Sequence, residues 1–305
     1  MEARNNLPDI ARGSLILLVV WGHLLESEGY GGSLYFAIYT FHIPAFAMIS
    51  GMMSKSSMDA RGLFKICRRL LVPLLIFQVV YFIALGYFAP ERVTNFLSPV
   101  WIVWFLFSLF IWKLLLPLAV RLPYPLLLSV AFALGAGFID EIGLEFGMSR
   151  TLVFFPAFIF GHLYGKRIFK AVPQYRVPLC ILFVSIFLVA VFVSDYISIR
   201  LLWGSHPYSN LPLHTPGIGY RAVMIAVGII ASISFLAMLP TRSRPLALLG
   251  QETMPVYLLH GLPVMLFWAG GFQMDTSFLF LSVTALLSLV ISFSIAISSM
   301  LSSRE

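Results

Sequence analysis

Charge is scarce in this chain. Only 11% of its 305 residues are Asp, Glu, Lys or Arg, against 60% that are hydrophobic. A water-soluble domain carries about 25% charged residues, so a soluble enzyme or a solvated scaffold is excluded. Cysteine is scarce too. Cys67 and Cys180 fall at the ends of separate predicted helices, too few and too far apart for a disulfide framework or a metal site. Each reads as a small buried hydrophobe. No cleavable signal peptide is expected, because the first apolar segment contains an Arg and a His and lacks a small-residue cleavage site. Carboxylates are missing from the depths of the apolar segments: Asp9, Asp195, Glu252 and Asp275 all fall at predicted helix ends. That weakens the case for a proton-coupled transporter, which commonly uses intramembrane acids. The lack of a detectable internal repeat leans the same way.

Long apolar runs are what the chain has instead. Ten stretches approach the ~20 residues that cross a hydrocarbon core: roughly 8–25, 34–53, 68–88, 99–120, 123–139, 151–166, 177–195, 217–239, 253–270 and 277–300. Aromatic residues make up 15% of the chain, 28 of them Phe, as suits a lipid-facing surface with aromatic ends. The loops alternate in sign. Residues 54–67 hold Lys55, Arg61 and Lys65, with Arg68 and Arg69 next; 165–176 hold Lys166, Arg167, Lys170 and Arg176; 240–251 hold Arg242 and Arg244. The intervening loops are acidic or nearly neutral. The positive-inside rule then places both termini in the cytoplasm with an even number of spans. The fold expected is all-α: a polytopic membrane bundle of about ten helices, forming one domain over residues 1–305 with no soluble domain after it. The net charge of +7 belongs to this cytoplasmic bias and does not argue for nucleic acid.

The first span reads "DIARGSLILLVVWGHLLE". Arg12 and His23 are eleven residues apart, which at 100° per residue is about 20° past three turns, with a rise of roughly 16 Å. Both side chains therefore share a face. Arg12 lies near the cytoplasmic edge; His23 lies in the outer half, one turn before Glu26. Each alone reads equally well as a snorkelling anchor or an interfacial histidine, but the shared face favours a common role. The second span adds His42, about mid-depth, two residues before Pro44, which loosens the helix. His23 and His42 sit on adjacent helices and can approach each other. In the ninth span Tyr257 and His260 are three apart, on one face. His162 suits an inner helix end and reads as structural. The long outer loop 195–219 holds Trp203, His206, Tyr208 and His214, either interfacial anchors or a surface on which a sugar stacks.

A basic cluster at the cytoplasmic edge and histidines deeper in suit acyl transfer from coenzyme A. Arginine binds nucleotide phosphates in a bidentate way. Histidine, with a pKa near 7, can take the proton from an attacking hydroxyl. The Arg12–His23 separation is comparable with the reach of the pantetheine arm.

These residues also carry a family likeness. "D-x-x-R-G" with R-x10-H at Asp9, Arg12, Gly13 and His23, "FHIPAFAMISG" at 41–51, "RRLLVP" at 68–73, "VWFLFSLF" at 103–110, "RTLVFFPAFIFG" at 150–161 and "LGQETMPVYLLHG" at 249–261 occur in order. The chain thereby resembles the acyltransferase-3 family of bacterial membrane O-acyltransferases, and within it the fucose 4-O-acetylase-like branch. The resemblance implies a multi-pass protein of the bacterial inner membrane. It implies transfer of an acyl group, usually acetyl from acetyl-CoA, to a hydroxyl of a glycan or lipid-linked sugar, and essential roles for Arg12 and His23. Some members carry a soluble esterase-like domain after the helices; here transfer is expected to go straight to the acceptor.

The resulting expectations are specific. Arg12, Arg68, Arg69 and Lys65 hold the CoA phosphates. His23 is the general base, or is itself acylated. His42 orients His23 or stabilises the oxyanion. Trp104, Arg150, Tyr257 and His260 line the acceptor site, although Trp104 and Arg150 also suit an aromatic-belt residue and an interfacial cation. No metal is expected. Two other readings stand beside this one: a proton-coupled transporter, and a non-catalytic partner in polysaccharide export, to which the Arg12–His23 spacing would be immaterial.

Overall fold

The computed structural model describes residues 6–26, 32–90, 95–142, 147–211, 217–270 and 278–302. Among the described residues the chain is helical, with no strand. The main helices are α1 (Leu7–Leu25), α2 (Gly32–Met52), α3 (Ala60–Phe88), α4 (Trp104–Ala119), α5 (Pro125–Gly135) and α6 (Met148–Ala171). They continue with α7 (Arg176–Val193), α8 (Gly217–Met238), α9 (Arg244–Gln251), α10 (Thr253–Leu259), α11 (Gly261–Ala269) and α12 (Phe278–Ser302).

Every expected span coincides with a helical stretch, and seven stretches among the described residues are long and apolar enough to cross a membrane. The protein is a polytopic all-α bundle. The other three expected spans differ for visible reasons. The fifth, Pro125–Phe138, and the ninth, Thr253–Ala269, are short. The sixth, α6, is 24 residues long but carries Arg150 in its first turn and Lys166, Arg167 and Lys170 toward its end.

Two helix edges depart from the hydropathy pattern. α3 begins at Ala60, not 68, because Asp59 caps it: its carboxylate accepts from the Gly62 N–H at 2.8 Å. Lys65, Arg68 and Arg69 are therefore exposed residues inside a helix, with a π-helical turn at Cys67–Leu71 before Pro73. The stretch 240–251, expected as a loop, contains α9, started by Ser243, whose hydroxyl accepts from the Leu246 N–H at 3.4 Å. The ninth span is broken at His260, where Pro263 has no N–H to offer the preceding turn. The Tyr81 hydroxyl of α3 donates to the Leu258 carbonyl there at 2.7 Å.

α1 and α2 occupy the middle. α2 packs on α1, α6, α7 and α8; α1 also packs on α9 and α12. Lipid is as apolar as leucine, so the hydrophobic effect does little to bring helices together in a membrane; close packing at small residues does. Gly13 of α1 lies against the Leu246 backbone of α9, and Gly250 of α9 lies against the Asp9 backbone of α1. Gly51 and Gly161 make the same reciprocal contact between α2 and α6, with Phe158 and Met48 opposite. A β-carbon at any of these positions would meet main chain, which cannot move aside. The Gly161–Gly165 spacing thus serves packing within the chain. The α1–α9 contact sets the N-terminal half of α1 beside Gln251 and so fixes where Arg12 points.

Candidate active site

Two cavities meet at His23. The larger, about 360 Å³, is lined by Arg12, His23, Ser50, Lys113, Gln251 and Tyr257 among others. That volume lies in the range of small-molecule and cofactor sites. The smaller, about 110 Å³, is lined by His23, Glu26, Tyr35, Tyr39, Arg150 and a group of tryptophans. His23, Ile43 and Trp104 line both.

The larger cavity runs along α1. Arg12, at its polar end, donates to Asp9 Oδ1 at 2.5 Å across one helical turn, while its Nε is buried without a partner among the described residues. Asp9 Oδ2 also accepts from Gln251 Nε2 at 3.5 Å. Lys113 of α4 enters the same end. It makes no ion pair among the described residues; its ammonium donates to Ser54 Oγ at 2.8 Å. Two cations thus face one end of an otherwise apolar cavity, and only Arg12 has a carboxylate beside it. Lys113 was not singled out from the sequence. A single lysine inside the apolar run "FLFSLFIWKLLLP" is the signal that could have found it, since buried charge in a membrane segment is costly.

His23 stands at the junction. Its Nδ1 lies 3.0 Å from Glu26 Oε2. A carboxylate only accepts, so Nδ1 carries the proton and Nε2 keeps the lone pair. The imidazole stacks on His260, centroids 5.4 Å apart, and meets the edge of Trp101 at 5.0 Å. The Trp268 indole donates to the His23 carbonyl at 3.1 Å, fixing this turn of α1 against α11. Sequence spacing had marked Glu26 only as a neighbour; the structure makes it the group that sets the tautomer.

The turn carrying Trp101 is built by an amide. Gln78 of α3 donates to the carbonyls of Phe96 at 2.7 Å and Ser98 at 2.8 Å, and accepts from the Val100 N–H at 2.9 Å. Trp101 then takes a φ of +42°, a left-handed backbone that disfavours a bulky side chain. Its indole N–H is buried without a partner among the described residues.

The remaining candidates divide. Trp104 lines both cavities, and Arg150 lies over its ring at 5.0 Å. The Tyr257 hydroxyl donates to the Ile102 carbonyl and its ring lines the larger cavity. His260 donates through Nδ1 to the carbonyls of Val256 and Tyr257, and its Nε2 has no partner among the described residues. His42 lines neither cavity. Its Nδ1 donates to the Ile38 carbonyl at 2.8 Å and its ring meets Tyr39 at 4.5 Å, so the ring stacked on His23 is that of His260 instead. Lys65, Arg68 and Arg69 line neither cavity, although the helical stretch bearing them packs on α4, which carries Lys113. Between α7 and α8, Trp203 lines the smaller cavity and donates to the Tyr35 hydroxyl at 3.3 Å. His206 bonds Ser205, and burial with Arg200 and Arg150 nearby holds its pKa below the usual histidine value. His214 lies outside the described residues. Among the described residues no group of three metal-ligating side chains occurs.

A family model described as "Acyltransferase domain", that of the acyltransferase-3 family, matches residues 5–297. The chain belongs to this family. No curated protein and no solved structure matches it. This acyltransferase-3 protein is thus a multi-pass membrane acyltransferase, and both cavities lie within the matched residues.

Proposed function

We propose that this acyltransferase moves an acyl group, acetyl by default, from cytosolic acyl-CoA to a hydroxyl of a glycan or lipid-linked sugar. The observation that carries the reading is the junction: a long cavity with cations at one end and a short aromatic cavity beyond it share His23. Ten crossings with both termini in the cytoplasm, in a bacterial inner membrane, put the Arg12 end on the side where acyl-CoA is found.

In this reading Arg12 and Lys113 take the CoA phosphates, as charge-assisted donors. Lys65, Arg68 and Arg69, exposed on the adjoining helix, meet the nucleotide outside the cavity. The uncharged pantetheine arm lies along the apolar wall of α1, past Ile16 and Val19, and brings the thioester to His23. The acceptor hydroxyl arrives through the smaller cavity. Nε2 of His23 removes its proton while the oxygen bonds to the acyl carbon; Glu26 stabilises the imidazolium that forms. The indole N–H of Trp101 is an available donor to the developing oxyanion. As the C–S bond breaks, the CoA thiolate takes the proton back from His23. His260 keeps the imidazole plane in register, and His42 supports α2 from behind Tyr39.

The test is CoA release from acetyl-CoA by the purified protein in nanodiscs, with and without an envelope glycan extract, followed by mass analysis of the glycan. Glycan-dependent release with an acyl mass increment, abolished in His23→Ala, supports the reading. Full activity in His23→Ala would remove the assignment. Uptake of a solute into sealed proteoliposomes without CoA release would favour a transporter.

A further inference from the structure

The smaller cavity holds a buried positive charge that no direct ion pair meets among the described residues; Glu26, on the same cavity, acts on it only through space. Arg150 lies in the first turn of α6 and lines this cavity with Tyr35, Tyr39, Trp101, Trp104 and Trp203. It makes no ion pair among the described residues. Its Nε is buried without a hydrogen-bond partner, and its terminal nitrogen reaches only Ser205 Oγ, at a long 3.4 Å. Its one close support is the face of Trp104, 5.0 Å from the guanidinium carbon. A cation–π contact recovers only part of what a charge loses on leaving water. Elsewhere in the protein Arg12 has Asp9 beside it, and Arg221 of α8 donates to the carbonyls of His206 at 2.7 Å and Ala133 at 3.3 Å. Arg150 has neither kind of compensation.

We propose that the acceptor is an acidic sugar, with its carboxylate or phosphate held by Arg150 and its reacting hydroxyl at His23. The proposal takes the smaller cavity as the acceptor site and so rests on the function proposed above. A guanidinium presents paired N–H donors that match an oxyanion, and enclosure by aromatic rings strengthens the attraction. The cavity is polarised. Glu26, hydrogen-bonded to His23 at 3.0 Å, lines the same cavity, so an anion is drawn to Arg150 and repelled from the His23 side. The smaller cavity holds about 110 Å³. That is small beside the ~300–1,000 Å³ of a typical ligand site, so one ring fills it and the acidic group belongs to the ring that is acylated or to its immediate linkage. The tyrosines and tryptophans suit the C–H faces of such a ring.

Three probes test this on the full-length protein in nanodiscs: methyl β-glucuronide, α-glucose 1-phosphate and the neutral methyl β-glucoside. Binding is read by quenching of tryptophan fluorescence, since Trp101, Trp104 and Trp203 wall the cavity. At least one acidic probe should half-saturate at about 10- to 100-fold lower concentration than the glucoside, the effect of a charged hydrogen-bonding partner. Which acidic probe does so separates carboxylate from phosphate. Arg150→Gln should bring the acidic-to-neutral ratio to about one, and Arg150→Lys, which keeps the charge, should retain part of the preference. If both variants melt early, the ratio in the unaltered protein decides. Equal half-saturation for all three probes, or no response to either acidic one, overturns the proposal. Acidic-probe binding without CoA release in any mixture keeps the anion site and overturns acyl transfer instead.

Discussion

Helix α1 has a mean hydropathy of 1.3, with 56% of its apolar window buried inside the protein; helix α7 reaches 2.6 with only 11% buried. In a water-soluble fold the ranking would run the other way. Here the solvent of α7 is hydrocarbon, so its outer residues, Val177, Ile181, Val184, Leu188 and Phe192, are apolar because they face lipid. α1 faces other helices, so it can keep Asp9, Arg12 and His23 where partners and cavities receive them. In this molecule polarity marks the interior, and the least hydropathic spans, α1 and α2, both line the larger cavity.

The largest expected effect attacks α1 itself. His23→Ala should lower acyl transfer about 10²- to 10⁴-fold, the usual worth of a positioned general base, with little change in melting temperature; activity assays beside a detergent melt read both. Gly161→Leu comes next. Its side chain would meet the Met48 backbone, so it should destabilise the α2–α6 pair by about 1–3 kcal/mol or more. Lys113→Met should raise KM for acyl-CoA about tenfold, with kcat within a few-fold, because it removes a charged contact made equally by ground and transition states. A tenfold drop in kcat with KM unchanged would move Lys113 out of the donor site.

A pH effect should be smaller and confined to the segment between α7 and α8. His206 has a lowered pKa, from burial first and then Arg200 and Arg150. The unfolded loop therefore takes up a proton near pH 6.5 while the folded loop does not, so stability falls as pH drops below about 6.5. Lower hydrogen-exchange protection factors over residues 198–211 at pH 5.5 than at pH 7.5, corrected for the slower intrinsic amide exchange at the lower pH and abolished in His206→Asn, are the expected outcome. The smallest effect belongs to the lipid face. Leu188→Ala, at a residue 61% exposed on α7, should change stability by about 0.5 kcal/mol or less. A loss as large as that of Gly161→Leu would break the ranking of α1 and α2 over α7.

Sequence by itself determined the bundle and the shared face of Arg12 and His23, because hydropathy and the 100° step per residue are local properties of the chain. It was weaker at edges: Asp59 and Ser243 start α3 and α9 in polar stretches that hydropathy reads as loop, although both are recognisable caps. What only the tertiary structure decided was company. His260 rather than His42 stacks on His23, Lys113 joins Arg12, Gln78 builds the turn that carries Trp101, and Arg150 stands in the second cavity without a direct ion pair among the described residues. These pairings join helices far apart in the chain. They are set by where glycines let backbones touch and by which polar groups remain unmatched once the helices have closed, and neither is encoded in the periodicity of any single span.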